Sequence, residues 1–263
     1  MTTRFLPYLF FLFFAPAILF GQLQEGSYLK IDYLKVENSD YDQFLEGMKS
    51  EMKKYQEQRV NEDEIIYWRL YKVTYPGNKT DDYDYVTVTT ATSLNPFENE
   101  STIARETDDN DQYATIIRSL YPYHKKINSE LWVVRNSIQA DSENMEPARF
   151  VSMDYMNVTP GREFEYRMLE DEIASPLHRE RMNMDQMDKW EMYELLLPGG
   201  TEYGYNFATG NFFNRLWHVE FGLTEELIKR THTDTDVTSI FEQIEDTRDL
   251  VEHEMWELVD FIH

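Results

Sequence analysis

Shifted along itself by 122 positions, this 263-residue sequence brings a set of residues into register without a gap. Asp32-Tyr33 falls on Asp154-Tyr155, Val36 on Val158, Phe44 on Tyr166, Arg59 on Arg181, Trp68 on Trp190 and Tyr71 on Tyr193. Pro76-Gly77 falls on Pro198-Gly199, Tyr83 on Tyr205, Tyr85 on Phe207 and Thr87 on Thr209. With only 5 tryptophans and 9 prolines in the chain, chance is a poor explanation. A segment written twice must fold in the same way twice, so the search for structure reduces to one unit.

That unit begins with Tyr28 to Val36, which alternates and is rich in β-formers, so it reads as a strand. A cap follows, Ser39 or Asp40 in the first half and Thr159 before Pro160 in the second. Tyr41, Phe44, Leu45, Met48, Met52 and Tyr55 then recur at helical spacing, echoed by Tyr166, Leu169, Ile173 and Leu177. Both predicted helices are apolar on one side and need a sheet to cover. Ile65 to Tyr75 and Tyr83 to Thr92 flank Pro76-Gly77-Asn78 as a hairpin, and Lys189 to Leu197 and Tyr203 to Thr209 flank Pro198-Gly199-Gly200. A second helix is predicted around Gln112 to Ile127, echoed by Ser239 to His253. A closing strand is predicted at Leu131 to Ile138, echoed by Met255 to Ile262.

The order is βαββαβ twice, the split βαβ, ferredoxin-like unit. A four-stranded sheet with helices on one side leaves its other face bare. Two copies in one chain can bury those faces against each other. The expected architecture is therefore α+β: two ferredoxin-like repeats packed sheet to sheet as a fused dimeric α/β barrel. Residues 22–139 form the first repeat, 140–147 a polar linker and 148–263 the second. The alternative is two separate domains side by side.

Residues 1–21 differ in kind. Arg4 gives a positive start, Leu6 to Phe20 is almost wholly apolar and Gly21 supplies a small residue before polar sequence resumes. This is the pattern of a signal peptide, and the run is shorter than the roughly 20 residues that cross a bilayer. The expectation is an exported protein, periplasmic or secreted, with no membrane span once the segment is removed; retention as an anchor is the alternative. With no cysteine, the mature chain has no disulfides and depends on its core. Against 25 Lys and Arg stand 49 Asp and Glu, a net charge of -24 that repels phosphate backbones and excludes nucleic acid as a partner.

Val158-Thr159-Pro160-Gly161-Arg162-Glu163-Phe164, then Pro176-Leu177-His178, Trp190 and Pro198-Gly199, resemble the dimeric α/β barrel superfamily and within it NIPSNAP-type domains. The likeness covers about the first two-thirds of the second repeat and, more weakly, the first. In the first, Gln56 stands where His178 stands, and Asn38-Ser39 where Pro160-Gly161 stands. The resemblance implies the barrel fold; the superfamily spans haem-handling proteins, cofactor-free monooxygenases and isomerases, so it implies no single reaction.

His178 is the candidate catalytic base or metal ligand, just past Pro176, against the reading of a surface histidine paired to an acid. The repeated set Arg59, Arg181, Trp68, Trp190, Tyr71 and Tyr193 reads either as an aromatic pocket with a guanidinium for an anion, or as scaffold shared because the fold is shared. His218 joins the ligand-binding candidates, with a structural role as its alternative. No histidine among His124, His178 and His218 is selected as a haem ligand, no metal spacing occurs, and no cofactor is implied. The functional expectation is a small apolar or aromatic ligand held between the two sheets. The alternatives are a cofactor-independent monooxygenase- or isomerase-like enzyme using His178, and a non-catalytic interaction module. Nothing in the sequence sets an oligomeric state.

Overall fold

A computed structural model gives the structure. It describes residues 25–37, 40–77, 82–98, 112–140, 146–200, 202–233 and 236–263; the predicted signal segment and most of the linker lie outside them. The fold is α+β, with eight antiparallel strands closed into a barrel and helices outside it. The strands are β1 (Tyr28–Val36), β2 (Tyr67–Tyr75), β3 (Tyr85–Ala91), β4 (His124–Gln139), β5 (Phe150–Val158), β6 (Lys189–Leu197), β7 (Phe207–Phe213) and β8 (Arg248–Ile262). Around the barrel they run β1-β3-β2-β8-β5-β7-β6-β4. The long strands β4 and β8 join the halves, β4 pairing with both β1 and β6, and β8 with both β5 and β2. Closure leaves no free sheet edge, which a chain without disulfides gains from directly.

Positions 122 apart share their register. Asp32 pairs with Thr87 and Asp154 with Thr209; Trp68 pairs with Thr89 and Trp190 with Asn211. Beyond the hairpins the spacing lengthens to 124, so Val36 meets His124 while Val158 meets Arg248. Alternation sends Leu29, Ile31 and Tyr33 inward and Leu34 and Val36 outward under the helices.

The first helical segment is α1 (Tyr41–Gly47) continuing into α2 (Lys53–Asn61), and its counterpart is α4 (Glu163–Leu169) continuing into α5 (Ser175–Asn183). Each pair is joined by one π turn, Met48–Met52 and Glu170–Ala174. Lys54 stands in the first half where Pro176 stands in the second, so the proline is not what causes the turn. Such insertions are frequent at functional sites because they turn one residue toward new neighbours.

Several predicted boundaries move. The second helices are shorter, α3 (Gln112–Leu120) and α7 (Val237–Thr247), and the closing strands longer, starting at His124 and Arg248. The polar starts of these strands lie at the open ends of the barrel, where apolar periodicity gives no signal. β7 runs from Phe207 to Phe213, four residues later than expected. Thr159 does not cap α4: the helix begins at Glu163, and the Arg162 N–H donates to the Thr159 carbonyl in the turn before it. Between β7 and α7 the second half carries a 3-10 turn (Leu216–Glu220) and α6 (Glu225–Thr231), which the sequence reading did not separate.

Candidate functional site

The barrel interior is occupied by side chains. Leu29, Ile31, Tyr71, Val88, Trp132, Met153, Tyr193, Phe212 and Trp256 meet there in one apolar cluster. At its middle Tyr33 and Tyr155, 122 positions apart, face each other hydroxyl to hydroxyl at 3.1 Å. Fully buried Glu130 accepts from Tyr33 (2.7 Å), Trp132 (2.9 Å) and Tyr205 (2.5 Å); Glu254 accepts from Tyr83 (2.5 Å) and Trp256 (2.8 Å). Buried carboxylates are stable here because donors surround them. Between Tyr67, Arg69 and Trp256 about 20 Å³ of free space remains, room for about one water molecule and not for an organic ligand. The expectation of a ligand between the sheets is therefore corrected: aromatic side chains fill that space.

Free volume lies instead on the outer face of the second half, where α4, α5 and α7 cover β5, β6 and β7. The cavity holds about 250 Å³, against about 40 Å³ at the corresponding place in the first half. Residue differences account for this. In the first half Met48 and Met52 plug the space, and Leu120 closes on Gly47 so tightly that even a Cβ at residue 47 would overlap it. The second-half counterparts are Glu170, Ala174, Ile244 and Leu169, and all four line the cavity. Leu169 removes the close approach that Gly47 permits, and Ala174 withdraws the plug.

The cavity wall is mostly apolar, with polar groups converging on it. His178 is buried and stacks on Trp190 with ring centroids 5.0 Å apart. Burial, then the Arg181 charge, holds the imidazole down near 3, so it is neutral at physiological pH. Arg181 can only donate, so its 3.4 Å contact with His178 Nδ1 places the proton of that neutral ring on Nε2. His178 is thus no surface residue, and its pKa is too low for a general base near neutrality.

Three other groups suit proton chemistry better. Burial raises the Glu170 carboxyl to about 7, against the pull of Tyr166 and Arg248. Asp154 accepts from Asn211 (2.9 Å) and from Nδ1 of half-exposed His253. That bond raises the His253 pKa. The Nε atoms of Arg181 and Arg248 are buried in the same site and have no protein partner among the described residues.

The sequence candidates therefore separate. His178, Arg181 and Trp190 line the larger cavity and Trp68 the smaller one. Arg59 is buried and lines neither, donating to Gln56, Glu64 and the Pro96 carbonyl. Tyr71 and Tyr193 point into the barrel interior. His218 lies outside the cavity lining, edge-on to Trp217 in the 3-10 turn. Asp154, Glu170, Arg248 and His253 line the cavity as well and are not among those candidates.

In architecture the molecule matches solved structures across nearly its whole length. The fold they share is an α+β barrel. Among these barrels, a candidate monooxygenase from Lactobacillus acidophilus aligns with TM-score 0.55 at 8% identity, over 89% of this chain and 94% of that one. An anthrone oxidase-like protein aligns with TM-score 0.52 at 10% identity, over 91% and 94%. A haem-binding protein from Thermus thermophilus aligns with TM-score 0.50 at 11% identity, over 92% and 94%. At such identities the barrel is what is shared. No family model matches the chain, and no curated protein matches it. Among the described residues no helix is long and apolar enough to cross a membrane.

Proposed function

We propose that this chain binds a small, mostly apolar mono- or bicyclic molecule bearing one polar group, in the outer cavity of its second half. The observation that carries this reading is the contrast between equivalent places: about 250 Å³ against about 40 Å³. An apolar cleft with a few convergent polar groups and shifted acidities is the usual form of a ligand site. Calorimetric titration with 2-naphthol tests it. Binding is expected, weakened tenfold or more by Ala174→Met, which installs the first-half plug. No binding, or equal binding to both proteins, removes the reading.

The haem named for one barrel relative does not fit these residues. The space of about 250 Å³ is below even the roughly 300–1,000 Å³ of drug-sized pockets. The enzyme alternative is favoured by one observation, Glu170 held near 7 beside the cavity, and the base it would use is then not His178.

The wider reading is of two ferredoxin-like units, 22–139 and 148–263, joined by 140–147 and descended from one duplicated ancestor. The shared registers of Trp68 and Trp190 support it. Kinship with NIPSNAP-type domains rests on the short motifs alone. Export rests on residues 1–21, and an intact mass beginning after Gly21 in material recovered outside the cytoplasm is its test.

A further inference from the structure

The outer cavity gathers more chemistry than holding a ligand requires. Asp154 on β5 fixes His253 on β8 through Nδ1, which leaves Nε2 as the exchangeable position of the ring. Its other oxygen is fixed by Asn211 on β7 at 2.9 Å. Glu170 enters from the π turn of the facing helix, and both it and His253 line the same space. Arg181 and Arg248 each contribute a buried Nε–H with no protein acceptor among the described residues. The first half keeps Asp32 for Asp154 and Arg59 for Arg181 but lacks the rest: Met48 stands for Glu170, Ser129 for His253 and Gln56 for His178. With the Tyr166 hydroxyl, also unpartnered, three donors of cavity-lining residues are available to an oxygen supplied from outside.

We propose that this cavity is a proton-transfer site for carbon acids, in which Glu170 takes a proton from a carbon next to a ketone carbonyl and the Asp154-held His253 delivers one to the oxygen. The proposal rests on the binding reading above. The Glu170 carboxylate forms the new O–H bond. The C–H electron pair becomes the C=C bond, the carbonyl π pair moves to oxygen, and Nε2–H of the His253 imidazolium protonates that oxygen to give the enol. Reversal of the two steps returns the ketone, so no oxidant, reductant or co-reactant is consumed. Asp154 is a positioning residue that steadies the imidazolium, and the Arg181 and Arg248 Nε–H groups are the donors for the transient oxyanion. The substrate class is a mono- or bicyclic ketone with an acidic α-hydrogen.

The test uses 2-tetralone with the full-length protein in heavy water. Proton NMR follows loss of its α-hydrogens, and calorimetry measures its binding separately. Exchange well above the buffer rate is expected, falling about a hundredfold in Glu170→Gln and in His253→Gln, as removal of a general acid or base requires, with tetralone binding retained in both. Binding without accelerated exchange, or acceleration unchanged in both variants, overturns this inference and leaves the binding reading intact. Failure of tetralone to bind at all overturns both.

Discussion

Two carboxyl-bearing regions of this molecule sit a few strands apart and differ in what surrounds them. In the barrel interior Glu130 and Glu254 are saturated by tyrosine and tryptophan donors, and the space around them is full. In the outer cavity Glu170 is raised to about 7 and stands beside open volume. A buried carboxylate ringed by donors in filled space consolidates a fold; one beside open volume can meet a ligand. The same contrast recurs between halves, where Met48 and Met52 fill the place that Glu170 and Ala174 leave open. The two halves share one backbone plan, and a few side chains decide which half packs and which receives.

Exchanging those side chains gives the largest expected effect. Met52→Ala removes a buried plug and should cost about 3 kcal/mol in urea unfolding, the usual range for such truncations. Ala174→Met, its mirror, enters existing space and should cost under about 1 kcal/mol, as volume added where there is room forces little strain. Equal costs in the two halves would erase the distinction.

His178 comes next. Its folded pKa of about 3 lies below the ordinary value of 6.5, so its contribution is complete above pH 6.5 and is lost as pH falls toward 3. From pH 7 to pH 5 this one group should remove about 2 kcal/mol of stability. His178→Gln, which installs the first-half residue, should flatten the profile by that amount. A variant with an unchanged pH profile would mean that the imidazole is not held neutral.

Glu170 has the opposite sign. Its folded pKa is raised from 4.5 to about 7, so its contribution is present below pH 4.5 and lost as pH rises toward 7. Glu170→Gln should stabilise the protein by about 1 kcal/mol at pH 8 and by nothing measurable at pH 4, the half-buried position keeping the effect modest. Destabilisation at pH 8 would show Glu170 to be a structural carboxylate like Glu130.

Much of the fold was legible because apolar alternation and the scarce tryptophans report packing directly. Tyr28–Val36 and Lys189–Leu197 occur where alternation places them. The closing strands were misjudged because His124-Lys125-Lys126 and Arg248-Asp249 are polar ends of long strands, where burial imposes no pattern. His178, Arg181 and Trp190 could be found as rare or repeated residues, whereas Asp154, Glu170 and His253 could not be picked out among 49 acids and scattered histidines. A signal for Glu170 did exist. It is the one acid aligned with a methionine on the apolar face of the first helix, and that substitution marks where the halves diverge. His253 was hidden by the change of spacing from 122 to 124, which also concealed the match of Glu130-x-Trp132 to Glu254-x-Trp256.

The most direct measurement is a crystal soaked with 6-bromo-2-naphthol and read by bromine anomalous scattering. One peak is expected, beneath α4 and α5 and bounded by Glu170, His178 and Trp190. A peak inside the barrel, equal peaks in both halves, or none at all would contradict it.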